Sequence, residues 1–274
     1  MTDVLTCLRL EADDPGLGLS PTMAEAMVSC RPAPRACDHR PALALLRSQR
    51  PYALLGPRDC RLPDLDAGVA FLARRGLPAF RRVGGGSLVV LDDDCLSFAL
   101  AWPCRSPGHV QGALLSLAAP VLEALGALGA SAHLGAAAGS YCEGPSDLIL
   151  EDGRKVAGMA LALRGGWALL SGMLLVRQDP AYATGLVAGF EAAAGGARRY
   201  DARVVARLDR VLGRTLAPVE AADALSSAFA AWARRQGSGF ALRPPDSVER
   251  ARAGTLLALR RVRRAVAAPA PVEA

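Results

Sequence analysis

Arg81-Arg82-Val83-Gly84-Gly85-Gly86-Ser87, a glycine turn behind two arginines, runs directly into the apolar segment Leu88-Val89-Val90-Leu91. Three consecutive glycines allow positive φ angles and let a ligand lie against main-chain N–H groups. The arginines supply cations for a phosphate or a carboxylate, and the apolar segment is typical of a buried strand. The glycine spacing matches neither a Walker loop nor a GxGxxG dinucleotide-binding sequence. The segment therefore predicts a ligand-facing glycine loop beside a strand.

The rest of the chain alternates between helical and strand patterns. Helical spacing is predicted over residues 22–27, 66–75, 107–128, 179–195, 203–212, 217–235 and 247–266. Strands are predicted over residues 51–56, 87–91, 148–150, 156–161 and 167–176. This order predicts an α+β protein in which mixed or antiparallel sheets are packed with helices.

We expect four parts along the chain. Residues 1–19 form an irregular lead-in, and residues 20–240 form a single catalytic domain. A basic amphipathic helix follows over residues 245–266, and residues 267–274 form a flexible tail rich in Pro and Ala.

Lysine occurs once in this chain. Among 32 Lys and Arg residues, Lys155 is the single lysine. Its ammonium is a compact charge on a rotatable stem, which a guanidinium fork cannot imitate. Lys155 follows Asp152-Gly153, a strong hairpin signal, and Asp147 lies just before the outgoing strand. We expect the two ends of this hairpin to bring Lys155 and Asp147 to one pocket.

The composition of the 274-residue chain argues against several classes of protein. With 51% hydrophobic residues, the chain is too apolar for a disordered protein. We find neither a signal peptide nor an apolar run long enough to span a membrane, and we expect a cytoplasmic protein. Seven scattered cysteines without a CxxC pair fit reduced thiols better than disulfides or a zinc site. A net charge of +6 suits an acidic partner, but the dispersed arginines argue against nucleic acid.

Four segments in register resemble the lipoate–protein ligase and octanoyltransferase family, whose catalytic domain is of the biotin/lipoate ligase type. Residues 81–93, RRVGGGSLVVLDD, are similar to the family's RRxxGGGxVxHD motif. Residues 144–158, GPSDLILEDGRKVAG, are similar to its GxNDL…GRKxxG segment. Residues 22–26 resemble its early NMAxDE helix, and residues 167–176 resemble its xxxHGTLLV strand. Four matching segments are far more specific than any one of them.

The resemblance implies that the protein attaches a lipoyl or octanoyl group to a lysine of a carrier domain. Lys155 would contact the acyl carbonyl and the phosphate region of the activated acyl group. Arg81 or Arg82 would lie near a phosphate or a carboxylate. The three glycines would form the floor under the acyl chain and the nucleotide; they are Gly84, Gly85 and Gly86.

Three further residues complete the binding site that the resemblance implies. Ser146 and Asp147 stand at the Asn-Asp pair of the family motif, and Gly158 ends it. Asp147 would lie near the nucleotide and its Mg²⁺ in a ligase. Implied partners are lipoyl carrier domains, of the 2-oxoacid dehydrogenase E2 or glycine cleavage H type, and acyl carrier protein as a donor. Nucleic acid and membrane are not expected partners.

The family contains two chemistries, and the sequence leaves both open. A ligase activates free lipoate with ATP and Mg²⁺ through an acyl-adenylate. A transferase needs no such cofactor, because it takes its acyl group from a carrier and holds it on a cysteine. Cys142 lies 13 residues before Lys155 in a loop that resembles one octanoyltransferase group. A thiol near a lysine has a depressed pKa, so Cys142 is the candidate nucleophile.

Three positions depart from the family pattern. Leu91 and Ser171 stand where the family has histidines, and Ser146 stands where it has asparagine. These changes motivate an alternative of another class, in which the chain is a catalytically altered relative that binds an acyl group or a nucleotide. A nucleic-acid-binding protein is a weak alternative, and the arginine-glycine loop of a biotin ligase is patterned differently.

Overall fold

The protein is described by a computed structural model that covers residues 4–10, 41–48, 50–104, 110–164 and 166–262. The helix predicted over residues 22–27 lies outside these residues, as does the tail predicted over residues 267–274. The fold is α+β with mixed sheets and helices, which confirms the predicted class.

The larger sheet has eight strands and carries one side of the candidate site. In spatial order they are β11 (Gly239–Arg243), β1 (Val4–Leu10), β2 (Ala42–Leu46), β6 (Cys95–Pro103), β10 (Trp167–Leu175), β9 (Lys155–Arg164), β8 (Asp147–Leu150) and β7 (Ala132–Gly135). Strand β1 pairs in parallel with β11 and β2, and the other pairs are antiparallel. The sheet thus brings the first described strand, β1, next to β11 from late in the chain.

The smaller sheet has three strands and leads into the glycine loop, residues 84–87. Its order is β4 (Ala79–Arg81), β3 (Tyr52–Leu55) and β5 (Val89–Leu91), with β3 parallel to β4 and antiparallel to β5. Helix α1 (Leu65–Ala73) lies between β3 and β4 in the chain, and Asp64 caps it by accepting the Ala67 N–H at 2.8 Å. Gly76 follows with a φ of 72°, which favours glycine at this turn.

Helices cover the sheets and close the hydrophobic core. They are α2 (Val110–Leu128), α3 (Pro180–Ala193), the single turn α4 (Leu208–Val211), α5 (Pro218–Arg235) and α6 (Ser247–Arg260). By length and composition alone, α2 could cross a membrane, which corrects the expectation drawn from the apolar runs. Its residues Leu117, Val121 and Leu125 are buried in the core of the larger sheet, and a core helix meets the same criterion.

The predicted lead-in is wrong for residues 4–10. Val4–Leu10 is a strand of the larger sheet, with Leu5, Cys7 and Leu8 fully buried. Its partner β11 is more than 200 residues away in sequence, so no local pattern could show the pairing.

The helix predicted over residues 203–212 is also wrong. Ala202–Val204 is a short 3-10 helix, and α4 is one turn. Between them, Val205 is extended and forms a parallel bridge with Lys155, while the Ala206 N–H donates to the Lys155 carbonyl at 2.7 Å. Pairing with β9 has overridden the helical spacing.

The basic helix predicted to reach residue 266 ends at Arg260. Arg261 is extended and bridges Phe80 in antiparallel fashion, and the Val262 N–H donates to the Ala79 carbonyl at 2.9 Å. The chain leaves the helix there because it pairs with the free edge of β4. Residues 263–266 lie outside the described residues.

Candidate active site

The β8–β9 hairpin fixes the backbone of Lys155. Gly153 has a φ of 83° in the predicted turn, and the Leu150 N–H donates to the Arg154 carbonyl at 2.9 Å. A bulge near Ile149 shifts the register, so that Lys155 lies opposite Ile149. On its other side, Lys155 pairs with Val205. Strand neighbours on both sides therefore hold this residue in place.

The Lys155 ammonium is buried and hydrogen-bonded, with 3% of its side chain exposed. Nζ lies 2.9 Å from Asp147 Oδ1 and donates to the carbonyls of Tyr141 and Cys142 at 3.1 and 3.2 Å. These three acceptors satisfy its three donors. The expected pairing of Lys155 with Asp147 is confirmed.

The Asp147 carboxylate is as buried as its partner. Oδ2 accepts the Gly144 N–H at 3.2 Å, while Oδ1 faces Lys155. Burial raises the pKa of Asp147 above its usual value, and the adjacent Lys155 charge offsets only part of that rise. Both carboxylate oxygens are thus occupied by N–H donors.

Gly158 leaves the space that the Lys155 side chain fills. A Cβ on Gly158 would lie 3.2 Å from Lys155 Cε and 3.3 Å from Nζ. An added methyl group would therefore move the ammonium by a few tenths of an ångström.

Cys142 lies in the loop before β8, and its thiol contacts the Arg82 guanidinium and the Ser87 backbone. Its φ of 50° is the one positive value among the described non-glycine residues. Sγ lies 2.9 Å from an Arg82 guanidinium nitrogen and 3.3 Å from the Ser87 amide nitrogen, both of which donate to it. Strained backbone of this kind is found where the surrounding structure holds a functional side chain.

These contacts lower the pKa of the Cys142 thiol. Burial on its own raises it, but the positive charges of Arg82 and Lys155 and the hydrogen bonds from Ser87 and Arg82 outweigh the burial. The net result is a thiol that ionises below its ordinary pKa, the property of a nucleophilic cysteine.

The glycine loop lies directly against this thiol. Gly86 has a φ of 96°, and a Cβ there would lie 2.6 Å from Cys142 Sγ and 2.5 Å from an Arg82 guanidinium nitrogen. Arg82 also donates to the Ser87 carbonyl at 2.8 Å. Only glycine at position 86 permits this close approach.

A cavity between the two sheets opens at these polar groups. Its apolar lining comes from Leu54, Val89, Leu91, Phe98, Met159, Met173 and Leu175. Two buried hydroxyl residues, Ser97 and Ser171, also line it. The cavity thus combines an apolar wall with the Cys142 thiol, Arg82 and Lys155, which suits an acyl chain with a reactive carbonyl.

A family model of the lipoyl protein ligase A/B catalytic domain matches residues 26–230. The chain belongs to this family. An uncharacterized protein of Cupriavidus necator is 31% identical over 182 residues, which cover 60% of this chain and 72% of that protein. An octanoyl-[GcvH]:protein N-octanoyltransferase of Exiguobacterium sp. is 33% identical over 117 residues, 42% of this chain and 41% of the transferase. The match thus spans about two fifths of that transferase.

Solved structures share the fold of this lipoyl ligase family member. The crystal structure of lipoate-protein ligase A bound with ATP has a TM-score of 0.69 at 19% identity, covering 94% of this chain and 95% of the ligase. At that identity the likeness shows a common architecture.

The structure brings five of the predicted site residues of this lipoyl ligase family member to one cavity. They are Arg82, Cys142, Asp147, Lys155 and Gly158. They come from four parts of the chain: the segment after β4, the loop before β8, β8 itself and β9. The fold brings these four parts together.

The other five predicted site residues do not line the cavity. Arg81 is exposed at the end of β4, and Ser146 is half-buried in the turn before β8. Gly84 and Gly85 precede Gly86 in the loop, and all three lie outside the cavity lining. Gly86 contacts the Cys142 thiol instead. Their part in binding a nucleotide stays a prediction.

Leu91 and Ser171, which stand where the family has histidines, both line the cavity. Leu91 adds an apolar surface and Ser171 adds a hydroxyl where the family pattern has imidazoles. Neither position therefore supplies an imidazole to this cavity.

Sequence reasoning missed β6, which forms part of the cavity wall. Ser97 pairs with Met173, and Phe98 pairs with Gly172, where a Cβ would lie 2.5 Å from the Phe98 ring. Such residues are common in any core, so only the register of the two strands identifies them.

A magnesium site at Asp147 also stays a prediction. Among the residues that the structure describes, no group of three His, Cys, Asp or Glu side chains is arranged to hold a metal. The engagement of both Asp147 oxygens by Lys155 and Gly144 fits a metal poorly.

Proposed function

We propose that this protein transfers an octanoyl or lipoyl group to a lysine of a carrier domain, and that Cys142 holds the acyl group as a thioester during transfer. The observation that carries the proposal is the Cys142 thiol, which lines an apolar cavity, accepts a hydrogen bond from Arg82 and has a pKa lowered by the charges of Arg82 and Lys155. The similarity to octanoyl-[GcvH]:protein N-octanoyltransferases supports the same chemistry.

In the first half-reaction, the Cys142 thiolate attacks the carbonyl carbon of the donor's acyl group. A bond forms between Sγ and this carbon, and the bond to the donor's leaving atom breaks. The leaving atom takes up a proton from solvent, which balances the proton lost earlier by the thiol. Lys155 lines the cavity, so its ammonium stabilises the negative charge that develops on the carbonyl oxygen.

In the second half-reaction, the neutral amine of the acceptor lysine attacks the thioester. A bond forms between nitrogen and carbon, the carbon–sulfur bond breaks, and the nitrogen loses a proton to solvent. The departing thiolate is stabilised by the Ser87 N–H and by Arg82. The low pKa of Cys142 therefore assists both its attack and its departure.

The acceptors that we propose are lipoyl domains of the 2-oxoacid dehydrogenase E2 or glycine cleavage H type, with octanoyl- or lipoyl-carriers, including acyl carrier protein, as donors. A relative from Listeria monocytogenes is named a lipoyl-[GcvH]:protein N-lipoyltransferase, which supports a carrier as donor. We place the reaction in the cytoplasm, where a free thiol such as Cys142 stays reduced.

The adenylate route of a ligase, with ATP and Mg²⁺, stays a prediction from the resemblance. It differs from the thioester route in one testable respect, because activation by ATP makes Cys142 dispensable.

Intact-mass spectrometry with two donors distinguishes the routes. With an octanoylated carrier and no ATP, we expect the protein to gain one octanoyl group and a lipoyl domain then to become octanoylated. Cys142→Ser abolishes both gains, whereas Cys60→Ser, which changes an exposed free cysteine, leaves them intact. Modification of the lipoyl domain by Cys142→Ser with free octanoate and ATP would instead establish the ligase route.

A further inference from the structure

Asp59 is a buried carboxylate behind the glycine loop, and the proposed mechanism assigns it no role. It lies in a 3-10 helix, Asp59–Arg61, just after β3, and 1% of the residue is exposed. Its Oδ2 accepts the Gly56 N–H at 2.7 Å, and the Asp59 N–H donates to the Gly56 carbonyl at 3.1 Å. Gly56 directly follows β3, so the Asp59 side chain closes the turn between β3 and the 3-10 helix.

The segment that carries Asp59 packs directly on the glycine-loop backbone. A Cβ on Gly56 would lie 2.2 Å from the Gly86 carbonyl oxygen. The Arg58 N–H donates to that same carbonyl at 3.2 Å, and the Arg82 N–H donates to the Leu55 carbonyl at 3.0 Å. The loop therefore cannot shift without breaking its contacts with this segment.

The other side of the glycine loop faces the thiol. Ser87 donates its N–H to Cys142 Sγ, and Arg82 bridges Sγ and the Ser87 carbonyl. The position of both donors to sulfur thus depends on the loop backbone, and Asp59 holds that backbone from behind.

We propose that Asp59 is a positioning residue for Cys142: its carboxylate anchors the glycine loop so that the Ser87 N–H and the Arg82 guanidinium stay against the thiol. The role of this anchoring in acyl transfer rests on the function proposed above. The effect on the thiol itself does not, since ionisation of Cys142 is measurable without any acyl donor.

If Asp59 acted on Cys142 only through its charge, removal of Asp59 would change the reactivity of Cys142 in the opposite direction. A negative charge near a thiol raises its pKa, so removal of the Asp59 charge alone would make Cys142 more reactive. Loss of the anchor lets two donors move away from sulfur and makes Cys142 less reactive. The direction of the change therefore separates the two roles.

The test is the pH dependence of iodoacetamide alkylation at Cys142, followed by peptide mass spectrometry, in the full chain. For Asp59→Asn and Asp59→Ala we expect the midpoint to move to higher pH. The rate at neutral pH should fall about threefold to tenfold, the effect of one weakened hydrogen bond. Asp66→Asn, which changes an exposed carboxylate on α1, serves as the matched control and should behave as the unaltered protein. An unchanged or lower midpoint in a folded Asp59 variant would overturn the proposal.

A second measurement on the unaltered protein covers the case in which neither variant folds. Burial raises the pKa of Asp59 to about 6, against the hydrogen bonds from Gly56 and Leu88 and the nearby Arg82, with Glu191 adding to the rise. As the pH falls through this value, the carboxylate is neutralised and accepts these bonds less well. Over this pH range, we expect the Cys142 alkylation rate to fall more steeply with pH than the ionisation of Cys142 alone would produce. A single-proton profile across this range would contradict the anchoring role.

An acylation assay separates failure of this inference from failure of the proposed function. If the unaltered protein forms no acyl-enzyme but the alkylation midpoint still moves in Asp59→Asn, the anchor stands and the thioester route falls. If acylation occurs and the midpoint does not move, the thioester route stands and the anchoring role of Asp59 falls.

Discussion

The two cations that lower the pKa of Cys142 are held in place in different ways. Lys155 projects from the larger sheet and pairs with Asp147 in a site where each side chain is 3% exposed. Arg82 follows the smaller sheet, is half-buried, and bonds to the Ser87 carbonyl and the thiol itself. Lys155 thus keeps its place through a buried carboxylate, whereas Arg82 keeps its place through the glycine loop.

This difference predicts what each cation contributes. A buried ion pair is expensive to break, because removal of one partner leaves an unpaired charge in a low-dielectric environment. A partly exposed guanidinium that bonds a carbonyl and a thiol can be lost with little cost to the fold. Lys155 should therefore affect both stability and chemistry, and Arg82 mainly the ionisation of Cys142.

The largest expected effect is that of Lys155→Met. We expect no acyl transfer and a loss of about 3–5 kcal/mol in the free energy of unfolding, because Asp147 is left buried without its cation. Urea denaturation and intact-mass assays measure the two effects.

Two further variants serve as controls for Lys155→Met. The double variant Lys155→Met/Asp147→Leu should regain stability but not activity, since it removes both charges. Asp201→Asn breaks the exposed pair with Arg203, whose side chain is 89% exposed, and should leave the melting temperature unchanged. Recovery of acyl transfer in the double variant would show that Lys155 has only a structural role.

Arg82→Met should have an intermediate effect confined to the thiol. Without the guanidinium, the pKa of Cys142 rises, and alkylation and acylation at neutral pH fall about tenfold, the effect of one pKa unit. Rates that recover as the pH is raised identify ionisation as the cause. A melting temperature that falls as far as that of Lys155→Met would contradict the proposed difference between the two cations.

Gly158→Ala should have the smallest effect on the fold and a moderate one on the rate. The added methyl group meets Lys155 Cε and Nζ at 3.2 and 3.3 Å, so the ammonium must shift by a few tenths of an ångström. We expect an acylation rate about tenfold lower, as for other small misplacements of a catalytic group. Gly126→Ala, in helix α2 with open space around its Cβ position, is the matched control and should retain the full rate.

The part of the site that the sequence predicts correctly depends on local pattern. Asp152-Gly153 predicts the hairpin, and the hairpin brings Asp147 and Lys155 together through a few residues of chain. Because lysine occurs once, composition alone singles out a side chain that lines the cavity. Motif similarity adds Cys142 and Arg82 to the predicted site, although they lie 60 residues apart in the sequence.

The parts that the sequence does not predict depend on distant pairing. Val4–Leu10 is a strand because β11 and β2 lie on either side of it. Val205 is extended because Lys155 bonds to it, although its sequence has helical spacing. Asp59 resembles any polar residue in a turn, and its burial behind the glycine loop becomes visible only in the folded chain.

The single lysine also makes the protein a convenient subject for nuclear magnetic resonance. Isotope labelling of lysine alone places one labelled side chain in the entire chain, at the acid–base centre of the cavity. Its one ζ-nitrogen resonance, free of overlap, will report directly on donor binding, on acylation of the neighbouring thiol and on the protonation of Asp147.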